Sequence, residues 1–292
     1  MRATRGERVF YFINTIFLIS VATICLAPLI HIFAISLSAN EMVTSGKVTF
    51  WPKKFTLVGY EYILENKLFW KGMYNSLIRV VLGLAVNLLF TVLAAYPLSK
   101  ETSRFKQRTF YAWIFFIPMI FGGGLIPTFI LVKDLKLMNS IWALILPGAV
   151  PIFYILLMLN FFRGLPNEME EAALIDGASQ WRILFTIYIP LSLPALATIC
   201  VYAILGHWNS WFDGLIYLND PNKYPVMTYL QTAVISIDFN KLTPEEIQKL
   251  SVLGDKTYKA AQIFLGSFPV LVTYPFFQKY FTKGLVLGSV KG

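Results

Sequence analysis

The stretch YNSLIRVVLGLAVNLLFTVLAAYPL, residues 74–98, holds a single charged side chain, Arg79, among otherwise mostly apolar residues. At about 1.5 Å of rise per residue, a helix of this length crosses the roughly 30 Å hydrocarbon core of a bilayer. Inside that core every backbone N–H and C=O must be satisfied within the segment, so the stretch predicts a helix. Five more stretches have the same character, at residues 9–37, 110–132, 141–162, 184–205 and 260–280. The expectation is an all-α membrane protein of six transmembrane helices, a single transmembrane domain over residues 1–292. Pro118, Pro147, Pro151, Pro190, Pro194 and Pro269 predict kinks or breaks within it.

Composition points the same way. Apolar residues make up 57% of the chain and charged residues 14%, against roughly 45–50% and about 25% in soluble domains. Arg2, Arg5 and Arg8 precede the first apolar stretch, which is also how a secretory leader begins. A leader's apolar core, however, runs to only about 7–15 residues, so a retained first span is expected, with cleavage near Ser38 as the alternative. The net charge of +9 does not indicate nucleic acid, because the basic residues stand singly between apolar runs and form no patch with interleaved aromatics. Seven of the eight arginines fall in the segments on the side of the termini, which predicts cytoplasmic termini in a multi-pass protein. Cys25 and Cys200 sit within apolar runs, where a thiol behaves as a small hydrophobe.

One polar segment has helix signals of its own: RGLPNEMEEAALIDGASQ, residues 163–180. Pro166 separates it from the preceding span, Asn167 is a candidate cap with Glu170 three residues later, and Gly177 can end the helix. Met169, Ala172, Ala173 and Asp176 follow i, i+3, i+4, i+7 spacing and would share one face. By pattern alone the segment is either a docking helix or an interfacial helix resting on lipid headgroups.

Glu171-Ala172-Ala173, Gly177, Ile187 and Ile189-Pro190 resemble the EAA motif of bacterial ABC-importer permeases: Glu-Ala-Ala, three residues, Gly, nine residues, Ile-x-Leu-Pro. The one departure is Ile189 for Leu. The resemblance continues through Asn75-Ser76-Leu77, Ala94-Ala95-Tyr96, Trp208-Asn209 and the ending from Gln278 to Gly292. It is strongest to the carbohydrate-uptake group similar to the maltose importer's second membrane subunit, in the branch serving plant or algal oligosaccharides such as alginate. It implies a type I importer permease fold with a coupling helix at residues 166–182. There Glu171, Ala172, Ala173, Asp176 and Gly177 would seat against a separate ATPase, Glu171 facing a basic group of its cleft. It also implies a cytoplasmic tail over residues 281–292, with Gly284, Gly288, Lys291 and Gly292 touching the ATPases, and an extracytoplasmic loop over 206–259 facing a solute-binding protein. The partners implied are a second permease in a heterodimer, two ATPase subunits, that binding protein and membrane lipid. ATP and Mg²⁺ would reside on the ATPases, and the location would be the bacterial plasma membrane.

The residues give this chain no catalytic or metal constellation. No Gly-x4-Gly-Lys-Ser/Thr loop is present, and the Gly122-Gly123-Gly124 run lacks the lysine, so a kink or close packing is expected there. Asn87, Asn160, Gln262 and Arg79 are the candidates for a substrate path, because polar groups at membrane depth face an interior or a wet cavity. Helix-to-helix hydrogen bonding is the alternative for the amides, and snorkelling to the outer interface is the expectation for Arg79. His31, near the same interface, is expected to be structural. Among other classes, an ion-gradient-driven secondary transporter would need paired broken helices in related halves. A membrane enzyme would need clustered acid–base groups.

Overall fold

The computed structural model describes residues 5–235 and 255–289. Their regular structure is helical, and among them the one β feature is an isolated antiparallel bridge between Ser38 and Phe55. The helices are α1 (Arg5–Ser36), α2 (Asn40–Thr44), α3 (Val58–Glu65), α4 (Lys67–Ser99), α5 (Arg108–Ile120), α6 (Leu125–Asp134), α7 (Ile141–Ile145) and α8 (Ile152–Arg163). There follow α9 (Asn167–Ile175), α10 (Gln180–Leu191), α11 (Leu193–Asn209), α12 (Phe212–Tyr217), α13 (Val226–Ile235) and α14 (Asp255–Ser289).

Every expected span lies on helix, but the breaks differ in kind. α1 and α4 are unbroken and long and apolar enough to cross a membrane. The third, fourth and fifth spans are bent pairs, at 115° between α5 and α6, 48° between the α7 turn (which runs on to Gly148) and α8, and 79° between α10 and α11. Prolines explain two of these bends. Pro147 and Pro151 flank the 48° break, while Pro190 and Pro194 flank Ser192 at the 79° break, where missing N–H groups interrupt the hydrogen-bond ladder. The sharpest turn falls on Gly122-Gly123-Gly124 instead. Gly124 has φ +80°, and an added Cβ on Gly122 or Gly124 would meet nothing within 4 Å. Among the described residues of this chain nothing crowds Gly122 or Gly124, and backbone freedom accounts for the turn. The expected sixth span is part of α14, which runs on to Ser289 through Gly284 and Gly288. Two of the expected tail glycines are thus helical, while Lys291 and Gly292 lie outside the described residues, as does most of the 206–259 loop beyond Ile235.

The chain forms two compact units. The unit of Met1–Trp70 with Leu230–Phe268 is knitted by small polar groups. Ser38 Oγ donates to Ala34 O at 2.6 Å and accepts from Lys53 N at 3.0 Å, while Thr257 Oγ1 donates to Ser38 O at 3.2 Å. The His31 Nδ1–Thr49 O bond of 2.6 Å ties α1 to the following loop, a structural role as expected. None of the most apolar window of α1 is buried, which suits a helix solvated by hydrocarbon.

The unit of Lys71–Tyr229 with Pro269–Gly292 holds the main core. Ala95, Tyr96 and Leu98 of α4 pack with Ile155, Met158, Leu159 and Phe162 of α8, and with Ile183, Leu184, Tyr188 and Ile199 from α10 and α11. At the other end of α4, Ser76 Oγ accepts from Val226 N at 2.8 Å, and Asn75 Nδ2 donates to the carbonyls of Asn222 and Tyr224 at 2.9 and 3.2 Å. The Asn75-Ser76 pair of the sequence resemblance is thus what holds the 222–226 segment onto α4.

Candidate functional site

The polar segment folds as two short helices joined by a tight turn. α9 is capped by Pro166, with φ −60° and ψ 130°, and no side chain caps it. Asn167 is therefore the first helical residue and not the cap, and Glu170 does not close a capping box. α9 ends with Gly177 at φ +74°. Gly177 N donates to Leu174 O at 3.0 Å and Ala178 N to Ala173 O at 2.9 Å. These paired bonds satisfy the last carbonyls of the helix around a left-handed residue. Ser179 then caps α10, its side chain accepting from Arg182 N.

Glu170 is the buried member of the acidic pair, 3% exposed. Lys100 Nζ lies 2.8 Å from Glu170 Oε2, Arg104 Nη1 lies 3.2 Å from Oε1, and the Tyr188 hydroxyl donates to Oε2 at 2.7 Å. The Lys100 ammonium also stands over two rings, 4.0 Å from the centre of Tyr96 and 4.2 Å from that of Tyr188, where the ring faces attract a cation. Tyr96 and Tyr188 meet edge to face at 5.0 Å, and Phe162 packs edge-on against Tyr188 at 5.3 Å. The Tyr96 hydroxyl donates to Gln180 Oε1 at 2.7 Å, and Arg163 Nη2 to Leu98 O at 3.3 Å. The end of α4 is thereby clamped to α8, α9 and α10 together.

Burial pushes the Glu170 carboxyl up, but hydrogen bonds from Lys100 and Tyr188 and the charges of Lys100 and Arg104 outweigh it, leaving its pKa below the ordinary carboxylate value. Burial acts on Lys100 more strongly than Glu170 sustains it, so the ammonium pKa is lowered as well. Because both charges are buried, removing the acid strands the ammonium at about 3–5 kcal/mol, whereas removing the lysine leaves Glu170 with Arg104 and Tyr188.

Glu171 points outward, its side chain 57% exposed with one oxygen 3.2 Å from Arg104 Nη2. Met169, Ala172 and Asp176 are exposed as well, and Ile175 is among the most exposed apolar side chains. Ala173, grouped with them by spacing, turns the other way and packs against the core with Ala178. α10 widens into a π-helical turn at Leu184–Tyr188, just ahead of Pro190, which has no N–H to give. That turn carries the Tyr188 ring inward. The residues that sequence reasoning missed here are Lys100, Tyr188 and the anchoring role of Glu170. The available signals were the second acid beside the motif glutamate and an aromatic at the motif's variable position before Pro190.

A second polar region lies deeper in the same unit, around a cavity of about 330 Å³ lined in part by Arg79, Asn87, Tyr154, His207, Asp213 and Tyr217. Arg79 does not snorkel. It is 2% exposed, it forms a two-pronged ion pair with Asp213, and its Nη1 also donates to Ser210 O at 3.2 Å. An internal anion outcompetes the interface once the helix start at Phe212 brings Asp213 into reach. Asn87 Nδ2 donates to Gly148 O at 2.8 Å and Ala149 O at 3.2 Å, and its Oδ1 meets His207 Nε2 at 2.8 Å. The amide serves carbonyls freed by the proline-flanked bend, which is the helix-to-helix alternative. Asn160 is exposed on α8 and Gln262 is buried in the other unit, so neither lines this cavity. His207, Asp213 and Tyr154 are lining residues that the sequence reading did not single out as a path.

Spanning helices with sharp internal bends, a cavity lined in part by polar side chains and an outward-facing helix pair clamped to one core make this a membrane transport component. The family follows from comparison with known proteins: residues 87–286 match the binding-protein-dependent transport system inner membrane component family, and the chain belongs to it. It is 40% identical over 276 residues, covering 94% of this chain and 96% of the relative, to the polygalacturonan/rhamnogalacturonan transport system permease protein YtcP of Bacillus subtilis. It is 38% identical to Protein LplC of the same organism over all of this chain and 98% of that one. Its fold matches, at a TM-score of 0.88 and 33% identity over 96% of this chain and 99% of the other, a chain from the crystal structure of a bacterial ABC transporter involved in the import of the acidic polysaccharide alginate. The fold is the type I ABC importer permease fold.

Proposed function

We propose that this chain is the permease subunit of an ABC importer for oligosaccharides, acidic ones in particular, in the bacterial plasma membrane with both termini cytoplasmic. The observation that carries this reading is the clamped helix pair. Glu170 faces in and fixes α9 to the core, while Glu171, Ala172, Asp176 and Ile175 are presented outward for a partner. Glu171 would meet a basic group in an ATPase cleft, exchanging or sharing its contact with Arg104. The chain itself catalyses nothing in this scheme and binds no cofactor; ATP and Mg²⁺ act on two ATPase subunits. A second permease completes the pathway as a heterodimer, and a solute-binding protein delivers sugar to the extracytoplasmic loop over 206–259. The tail over residues 281–292, with Gly284, Gly288, Lys291 and Gly292, would reach toward the ATPases.

The transport of polygalacturonan/rhamnogalacturonan and alginate named for two similar proteins supports an acidic saccharide. Among the described residues that line the cavity, Arg79 is the one Lys or Arg, and it is paired with Asp213. No observation favours an ion-gradient-driven carrier. The test is binding-protein-dependent ATPase activity of the reconstituted complex against neutral and acidic oligosaccharides. Stimulation by a uronate oligomer is expected; stimulation by an amino acid, phosphate or metal ion and by no saccharide would overturn the assignment.

A further inference from the structure

We propose that Glu170, Lys100 and Tyr188 form a positioning linkage that carries motion of the docking helix into α4, the long span to which it is not adjacent in sequence. The proposal rests on the permease reading above and concerns residues outside its docking face. Covalent connection gives α9 only two routes into the membrane helices: back through Pro166 to α8, and on through Gly177 to α10. The second passes through the left-handed turn at Gly177 and the π-helical turn at Leu184–Tyr188, two places where a displacement can be absorbed rather than transmitted.

The contacts of Glu170 with Lys100 and Arg104 bypass both. One carboxylate oxygen of Glu170 receives Lys100 Nζ at 2.8 Å and the Tyr188 hydroxyl at 2.7 Å. Lys100 follows directly on α4, and its position is fixed by the Tyr96 and Tyr188 rings at 4.0 and 4.2 Å. Arg104 bridges the two acids, with Nη1 at 3.2 Å from Glu170 and Nη2 at 3.2 Å from Glu171, so the exposed acid and the buried one share a cation. A load on Glu171 thus has a polar path to the end of α4. Charge-assisted bonds of this kind resist separation more than neutral ones and fix geometry as well as distance. A purely structural role for Glu170 would need only one compensating cation. Here one carboxylate joins α9 to two other elements, the segment after α4 through Lys100 and Arg104 and α10 through Tyr188.

The experiment uses the complete complex with its ATPase and binding protein, bearing Glu170→Gln, Lys100→Met or Tyr188→Phe in this chain. Glu170→Gln keeps the shape, Lys100→Met keeps the stem over both rings, and Tyr188→Phe removes one hydroxyl. Lys100→Arg is the conservative control, since it retains the cation. The expected result is that ATPase stays bound and hydrolyses ATP at the basal rate, while stimulation by loaded binding protein falls about tenfold in the first two variants. A tenfold loss lies just below the low end of what one hydrogen bond to a charged group contributes. Tyr188→Phe should fall less, and Lys100→Arg should keep most of the stimulation. Should one of the charge variants fail to insert, Tyr188→Phe decides the matter through the same ratio. Unchanged stimulation with ATPase bound overturns the linkage and leaves the docking reading standing. Dissociation of ATPase from the variants alone also overturns it, by making the cluster part of the docking surface. Failure of the unmodified chain to bind an ATPase overturns both.

Discussion

Replacing Gly177 by Val isolates the backbone contribution to the helix pair. The residue has φ +74°, and an added Cβ would meet no atom within 4 Å, so the substitution introduces no collision and its whole cost is conformational. A β-branched residue in the left-handed region costs about 1–2 kcal/mol, which shifts the turn about five- to thirtyfold toward other conformations. The bonds from Gly177 and Ala178 to Leu174 and Ala173 would be lost in those conformations, and α10 would leave α9 at another angle. Most of the buried core comes from α4, α8 and α11 rather than from α10, so insertion and yield in detergent should be unchanged. Transport in vesicles and co-purification of the ATPase should fall. Gly177→Asn, which tolerates the left-handed region, should fall much less. Full substrate-stimulated transport by Gly177→Val, or equal impairment by Asn and Val, would refute the argument that the turn's backbone geometry is what docking requires.

Glu171→Lys reverses the exposed charge beside Arg104 and should abolish ATPase co-purification while leaving expression intact; retained ATPase in pull-downs counts against an outward docking role. Asp213→Asn leaves the buried Arg79 without an anion and should destabilise by about 3–5 kcal/mol, read as a lower unfolding midpoint in detergent, whereas the double change Arg79→Met with Asp213→Leu should recover most of it. An unshifted midpoint in the single variant would show that the pair contributes nothing. Gly83→Ala would bring a Cβ to 2.4 Å from His207 Nε2, so overpacking of about 1–3 kcal/mol is expected, with relief on adding His207→Ala; no relief would place the strain elsewhere. For pH, the lowered pKa of Glu170 means that its contribution is fully present above the ordinary value of 4.5 and is lost as pH falls through the folded-state value. Glu170→Gln should therefore flatten part of the acid limb of a stability profile, and an identical limb in both proteins would contradict the assignment.

Much of the helix inventory was legible because its cause is local. Hydrocarbon forbids unsatisfied backbone, so an apolar run long enough to cross must be helical wherever it occurs, and α1 and α4 follow directly. Prolines marked two of the three sharp bends, since a missing N–H acts on its own turn whatever surrounds it. The 115° turn at Gly122-Gly123-Gly124 was legible only as a point of freedom, because glycine permits a direction without choosing one. The Gly177 turn was readable because glycine just past a helical stretch is the usual left-handed terminator.

Partnering between distant polar residues could not be read in this way. Spacing along α9 put Glu171 on the motif and Ala173 on the docking face, yet Glu170 is the carboxylate that the fold buries and Ala173 packs inward. Helical periodicity says which residues share a face; it does not say which face meets the rest of the chain. Arg79 was expected at the interface because it lies near the outer end of its span, and only the approach of α12 supplies Asp213, 134 positions away. Asn87, Gly148 and His207 likewise meet across three separate helices. Sequence alone therefore determined the solvent, the helices, the family motif and the places where the chain can bend. Only the tertiary structure decided which charges face inward, since burial and pairing depend on what other segments bring within about 4 Å, and an electrostatic preference that short-ranged leaves no periodic trace in the chain.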